Sequence, residues 1–325
     1  MHSIGLKASL KINKMKVHII LRLFVCSACL WGSPAVATDT FSFGVIAHPY
    51  RTMNDESGLR EAVNESDADN LAFVVANGIK AGEEPCSDEL YQRRKALLDS
   101  AKNGVIVSLA GSDWTACRHA NGRSAAIGRL NRLRELFFTD EFSLGGSRLP
   151  LVRQSSTAKF RNYGENARWE VGGIVFATLN APENNNHYLL DAGRNSEFED
   201  RIIANREWLH RVFTYASLRK MDGVVLFSSG NPFAPVNRGP AKQDGFAELR
   251  KQILAQAAKF KGKTLLIHGH GGMPKRTKPS IRWRGDFGVL EAGVPWTKVN
   301  IDPAEATLFI VSKQTSRTKN ATPAN

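Results

Sequence analysis

Two histidines stand two residues apart in the run Leu266-Ile267-His268-Gly269-His270-Gly271-Gly272. Alternate residues of an extended strand share a face, so strand geometry that persists to His270 points both imidazoles into one space. Neutral imidazole ligates divalent metals near pH 7, whereas protonated imidazole attracts an anion. The intervening and following glycines let either ligand approach the backbone closely. Comparable polar clusters follow other apolar runs: His48-Pro49-Tyr50, Asn77-Gly78-Ile79-Lys80, Gly111-Ser112-Asp113-Trp114, residues 180–186 (NAPENNN) and Ser228-Ser229-Gly230-Asn231-Pro232.

The elements that must position these groups are legible from periodicity. Short runs rich in Val, Ile and Phe at 41–47, 71–76, 104–109, 172–179, 223–227, 264–267 and 306–311 read as buried strands. Between them lie helical patterns. Ser87 precedes one carrying Leu90 and Leu97, Ser124 one carrying Ile127, Leu130, Leu133 and Phe137, and Asp244 one carrying Phe246, Leu249 and Ile253. A longer helix over 197–218 places Phe198, Ile202, Leu209, Val212 and Phe213 on one face. The alternation predicts a layered α/β architecture. Open α/β sheets bind ligands at the carboxyl ends of their strands, so one crevice is expected to gather the polar loops.

The order of these motifs resembles the calcineurin-like metallophosphoesterase superfamily, in its secreted bacterial branch. The resemblance is carried by an early strand ending in Pro49-Tyr50, by Phe73-Val74-Val75-Ala76-Asn77-Gly78-Ile79-Lys80-Ala81-Gly82 and by Cys86-Ser87-Asp88. It continues through Gly111-Ser112-Asp113-Trp114-Thr115-Ala116-Cys117, Asn184-Asn185-Asn186 and Leu266-Ile267-His268-Gly269-His270, spanning residues 41 to 312. It implies a layered α/β sandwich of mixed sheets flanked by helices, with two divalent metals at the strand ends. In such a centre a negatively charged bridging ligand holds the two ions, which polarise the attacking water and the phosphoryl oxygens. His48, Asn77, Asp113 and His268 occupy the positions to which the resemblance assigns catalytic roles.

The sequence departs from that pattern at its carboxylates. His48 stands near the expected first Asp, Asn77-Gly78 replaces Gly-Asp, and the block from Gly111 to Trp114 is one residue short. Without a bridging carboxylate the two cations repel each other, so a binuclear centre is not expected. A single divalent ion (Zn, Mn or Fe) bound by His48, Asp113, His268 and His270 is the metal site the remaining donors can form. His119, His187 and His210 lie in polar or helical contexts that carry no such pattern.

Other chemistries lack their signatures. Ser228-Ser229-Gly230 is not the Gly-x-Ser-x-Gly elbow of a serine hydrolase, and no dinucleotide or Walker glycine pattern occurs. The chain of 325 residues carries a net charge of +13. Five of its cations (Lys7, Lys11, Lys14, Lys16 and Arg22) and no acids fall in residues 1–37, leaving 39 cations against 31 acids beyond them, or +8. That excess favours phosphorylated small molecules or other anions, and no stacking motif points to specific nucleic-acid recognition. Lys275, Arg276, Lys278, Arg282 and Arg284 form a basic run beyond His268.

Residues 1–37 read as a signal peptide, with a basic stretch ending at Lys16, an apolar run through Leu30 and a small-x-small site at Ala35-Val36-Ala37. Met15 is an alternative start to Met1, and an uncleaved anchor is the alternative to cleavage. No later run suffices to span a bilayer. The expected location is the periplasm or the exterior, where disulfides persist. Two cysteines, Cys86 and Cys117, remain after cleavage. They are either two buried thiols or a bridge closing a loop of about 30 residues. Each lies near a strand-exit loop of the same crevice, which favours the bridge. Residues 38–312 are expected to form one domain, and the polar 313–325 a frayed tail.

The expectation is therefore an exported calcineurin-like phosphoesterase-fold protein whose two-metal site is degraded and whose phosphoester hydrolase activity is weak or absent. Two alternatives stay open: an active metal-dependent phosphoesterase with an altered histidine-rich site, and a non-catalytic binding protein of the cell envelope.

Overall fold

A computed structural model of the chain describes residues 39–47, 56–189, 195–235, 243–269, 279–293 and 295–312. The expected signal peptide at 1–37, His48, His270 to Lys278 and the expected tail at 313–325 lie outside them. Among the described residues no helix is long and apolar enough to cross a membrane.

Two mixed sheets pack face to face and helices cover their outer sides. The first sheet has the order β12 (Phe309–Val311), β11 (Trp296–Ile301), β1 (Phe41–Ala47), β2 (Val74–Asn77), β3 (Val105–Ser108). Within it β1, β2 and β3 are parallel, while β11 and β12 are antiparallel additions. The second has the order β4 (Val152–Arg153), β5 (Ala167–Val171), β6 (Ile174–Thr178), β7 (Gly223–Ser228), β8 (Lys263–His268), β10 (Phe287–Glu291), β9 (Ile281–Arg284). Its central four strands, β6, β7, β8 and β10, are parallel.

Each layer buries the face its pattern makes apolar. Between the sheets, Phe43, Phe73 and Ile106 of the first meet Phe176, Phe227 and Leu265 of the second. The rings of Phe43 and Phe73 stack at 5.2 Å, and Trp169 meets Phe73 edge to face at 5.3 Å, geometries that add about 0.5–1.5 kcal/mol per pair beyond burial. On the far side of the first sheet, α1 (Glu56–Asp67), α2 (Asp88–Asp99) and α4 (Ala126–Phe137) close a second core through Leu59, Leu98 and Leu133. On the far side of the second, α6 (Ser196–Leu218) and α7 (Ala247–Ala257) close a third through Trp208, Val212 and Ile253.

The continuous apolar runs were reliable guides because strands buried on both faces have no polar side to display. The strands that alternate were not expected. Thus β9 (IRWR) and β11 (WTKVNI) mix charged or polar residues with apolar ones, and helix α1, whose buried face is Leu59, Ala62, Val63 and Ser66, was not expected either. Ser87 caps α2 as expected, its hydroxyl accepting the Leu90 amide. Ser124 and Asp244 do not cap: α4 and α7 start after Ala125 and Phe246. Asp244 instead accepts the Phe246 amide in a turn ahead of α7.

Candidate functional site

The carboxyl ends of the parallel strands from both sheets meet along one edge, and two hydrogen bonds cross between the sheets there. Asn77, at the end of β2, donates its Nδ2 to the backbone carbonyl of Ser228 at the end of β7, 3.0 Å away. Gly111, just after β3, donates its amide to the Glu183 carboxylate beyond β6 at 2.6 Å. In the register of the second sheet, Ser228 lies opposite His268 and His268 opposite Glu291, which brings the ends of β7, β8 and β10 side by side.

The expected residues therefore converge only in part. Asn77 and His268 share this edge through Ser228, and His268 is 2% exposed with its Nδ1 2.6 Å from the Gly269 carbonyl. His48 directly follows Ala47, which pairs with Asn77 in the parallel register. His48 and His270 themselves lie outside the described residues.

Asp113 has a different occupation. It sits in the short helix α3 (Gly111–Trp114) and is fully buried. Oδ1 accepts the amides of Ile79 and Lys80 at 2.9 and 3.2 Å, and Oδ2 that of Ala110 at 2.7 Å. One carboxylate thus clasps the exit loops of β2 and β3. Burial pushes the Asp113 carboxyl up to about 6, against the pull of the Ile79 and Ala110 amides and of the Lys80 charge. Lys80 is buried as well, its Nζ donating to the carbonyls of Ala81 and Ser112. Burial lowers its ammonium pKa against the attraction of Asp113 and Glu84. Cys86 and Cys117 are joined by a disulfide that ties the same β2 exit loop to the segment after α3.

The opposite wall rests on a left-handed turn. Asn184, Asn185, Asn186 and His187 all have φ between +54° and +59°, a conformation that only Gly, and less often Asn or Asp, adopts readily. Four in succession persist because the surroundings hold them. Buried Arg201 donates to both the side-chain and backbone oxygens of Asn186, to the Asn180 carbonyl and to Glu197. Gly245 gives its amide to Asn185 and accepts from Asn186, and a Cβ there would sit 2.1 Å from the Asn185 carbonyl oxygen. Although burial works to raise it, the Glu197 carboxyl is pulled down to about 2 by the charge of Arg201 and the hydrogen bonds from His187 and Arg201. His187, unremarkable in sequence, lies edge to face on Trp114 at 4.8 Å. Arg201 and Asn205 fall on the buried stripe of α6; two polar residues in register with Trp208 and Val212 are the signal by which the sequence shows them.

Beside this turn lies a cavity of about 550 Å³ reaching Asn184, Ser229, Asn231, Phe246, His268 and Glu291. Several polar atoms along this edge are buried without a hydrogen-bond partner: Asn77 Oδ1, Ser108 Oγ, Asn180 Oδ1 and Ser229 Oγ. The amide orientations are set by their nitrogens, since Asn77 Nδ2 donates to Ser228 and Asn180 Nδ2 to Glu165. Glu291 was missed because β10 itself was.

The donor set can be compared with what a pair of divalent ions requires. Among the described residues no three His, Cys, Asp or Glu side chains converge as a metal-holding group. Asn77 is a neutral amide, Gly78 after it has no side chain, and both oxygens of Asp113 already receive backbone N–H groups. These residues do not fit a binuclear centre. No family model matches the chain, and no curated protein matches it.

Proposed function

We propose that this is an exported protein of the calcineurin-like phosphoesterase type whose two-metal site has degraded, so that phosphoester hydrolysis is weak or absent and the strand-end crevice binds its ligand without turning it over rapidly. The observation that carries this reading is the pairing of Asn77 with Ser228. In the Asn77-Gly78 pair, which stands where the resemblance asks for Gly-Asp, there is no carboxylate, and the Asn77 amide spends its Nδ2 on joining the two sheets. Two mixed sheets flanked by helices, with polar loops at one edge, support the fold half of the proposal. The clasp formed by Asp113 supports the chemical half, because a carboxylate that receives three amides has little capacity left for a cation.

The test is metal content by mass spectrometry on protein purified without chelators, followed by an assay on bis(p-nitrophenyl) phosphate with added Mn, Zn or Fe. Fewer than two metals per chain and hydrolysis near background are expected. Two tightly held metals per chain with rapid turnover would overturn the proposal.

A further inference from the structure

Three Asn-Gly pairs occur in the chain, Asn77-Gly78, Asn103-Gly104 and Asn121-Gly122. We infer that Asn121, and neither of the other two, is a site of spontaneous covalent modification in the folded protein, its carboxamide converting to aspartate and isoaspartate. The inference is independent of how the strand-end crevice is read.

The reaction is a ring closure. The Gly122 amide nitrogen gives up its proton to water or hydroxide and attacks Cγ of Asn121, the Cγ–Nδ2 bond breaks, and ammonia leaves. Water then opens the cyclic imide at either carbonyl, so water is consumed, ammonia is released and nothing is oxidised. Glycine favours the step because no side chain shields the attacking nitrogen.

The surroundings of Asn121 assist this chemistry. Residues 118–124 form an exposed hairpin in which Arg118 bridges Ser124. The His119 amide donates to the Arg123 carbonyl and the Gly122 amide to the His119 carbonyl, each at 2.9 Å. Asn121 Oδ1 accepts the Arg123 amide at 3.1 Å, an Asx turn that folds the carboxamide back over Gly122. The same N–H faces the oxygen that gains negative charge when the nitrogen adds to Cγ, which is how an oxyanion is stabilised. No atom lies within 4 Å of where a Gly122 Cβ would sit, so the approach is open. The Gly122 hydrogen bond has to open first, and at an exposed loop tip such opening costs far less than unfolding.

Asn77 and Asn103 lack this freedom. Asn77 is 1% exposed, its Nδ2 is held by the Ser228 carbonyl and its Oδ1 has no donor. The Gly78 amide, which would have to attack, donates to the Ser108 carbonyl between β2 and β3 at 2.8 Å. Half-buried Asn103 gives its Nδ2 to the Ser66 carbonyl and its backbone amide to Asp67, both at 3.0 Å. Gly104 beside it is buried, with the Ser147 carbonyl oxygen 2.3 Å from where its Cβ would be. Ring closure at either position requires packed sheet and loop to come apart.

The experiment incubates the full processed protein, folded and in urea, in mildly alkaline buffer made with heavy-oxygen water. After digestion in ordinary water, the three Asn-Gly peptides are followed by mass spectrometry. In the folded protein the Asn121 peptide should take up heavy oxygen and resolve into aspartate and isoaspartate isomers. It should do so about tenfold or more faster than the Asn77 and Asn103 peptides, since local opening costs far less than global unfolding. In urea the three rates should converge. Asn121→Gln should abolish labelling of its own peptide with unchanged circular dichroism. An Asn121 peptide that stays unlabelled in the folded protein, or Asn77 or Asn103 labelling as fast as Asn121 there, would overturn the inference. So would labelling that survives in Asn121→Gln, or a lead for Asn121 that persists undiminished in urea.

Discussion

Asn77 and Ser228 are 151 residues apart in sequence, yet a 3.0 Å hydrogen bond from the Asn77 side chain to the Ser228 carbonyl joins the exits of two strands in different sheets. The bond means that placing a carboxylate here carries a structural cost. In Asn77→Asp the donor is replaced by a carboxylate facing a carbonyl, and a loss of about 1–3 kcal/mol is expected. Urea denaturation measures it, and stability equal to the parent would show that the bond contributes nothing.

Installing the aspartate one residue later fares no better. Gly78 has a φ of +92°, and a Cβ there would lie 2.9 Å from that of Ala110. Gly78→Asp should therefore cost about 1–3 kcal/mol in strain and leave phosphodiester hydrolysis at background. Robust hydrolysis by that single variant would show a far more complete site.

The disulfide closes a chain separation of 31 residues between Cys86 and Cys117. Loop closure of that size corresponds to about 3–4 kcal/mol. Replacing both cysteines by serine should lower the unfolding free energy by an amount of that order and loosen the β2 exit loop. Peptide mapping without reductant should recover the linked pair; two alkylatable thiols in native protein would contradict the bridge.

Asp113 and Glu197 shift in opposite directions and divide the acid range between them. The folded pKa of Asp113 is about 6, above the ~3.9 of an unfolded Asp. The folded state therefore holds the extra proton between those values, and this group stabilises the protein as pH falls from 7 to 4. Glu197, at about 2 when folded, has an unfolded value near ~4.3. Its stabilisation is present above that value and is lost as pH falls from about 4.5 to 2. Each contribution is on the order of 3 kcal/mol. Stability curves of Asp113→Asn should lack the rise on the way down to pH 4, and an unchanged curve would remove Asp113 as its source.

The left-handed turn depends on Arg201. Arg201→Met removes the partner of Glu197 and five hydrogen bonds to Asn180, Asn186 and Glu197, and breaking such a buried pair costs about 3–5 kcal/mol. Gly245→Ala should disturb the same turn by collision with Asn185. Protease sensitivity confined to residues 183–188 in Gly245→Ala would report local release, and full resistance would show that the turn holds without the glycine.

Much of this architecture is legible in composition and spacing. Apolar runs such as Val74 to Ala76 and Val224 to Phe227 read as doubly buried strands, because neither face has a group that water would stabilise and β-branched residues dominate. A carboxylate or imidazole at a strand exit declares that it is near an edge where ligands bind. What the residue does there depends on partners distant in the chain. Asp113 has the type of a metal ligand, but the amides of Ile79, Lys80 and Ala110 reach it first. Arg201 has the type of a solvated cation, but α6 turns it inward against Asn186 and Glu197. Strands β9 and β11 likewise take their places by pairing with β10 and β1 rather than by any apolar run of their own. Residue type sets which interactions a side chain can make and periodicity sets which face it occupies. Which partner satisfies it is decided when the sheets pack and remote loops come within hydrogen-bond distance, since a buried polar group is stabilised only by the partner that the fold delivers.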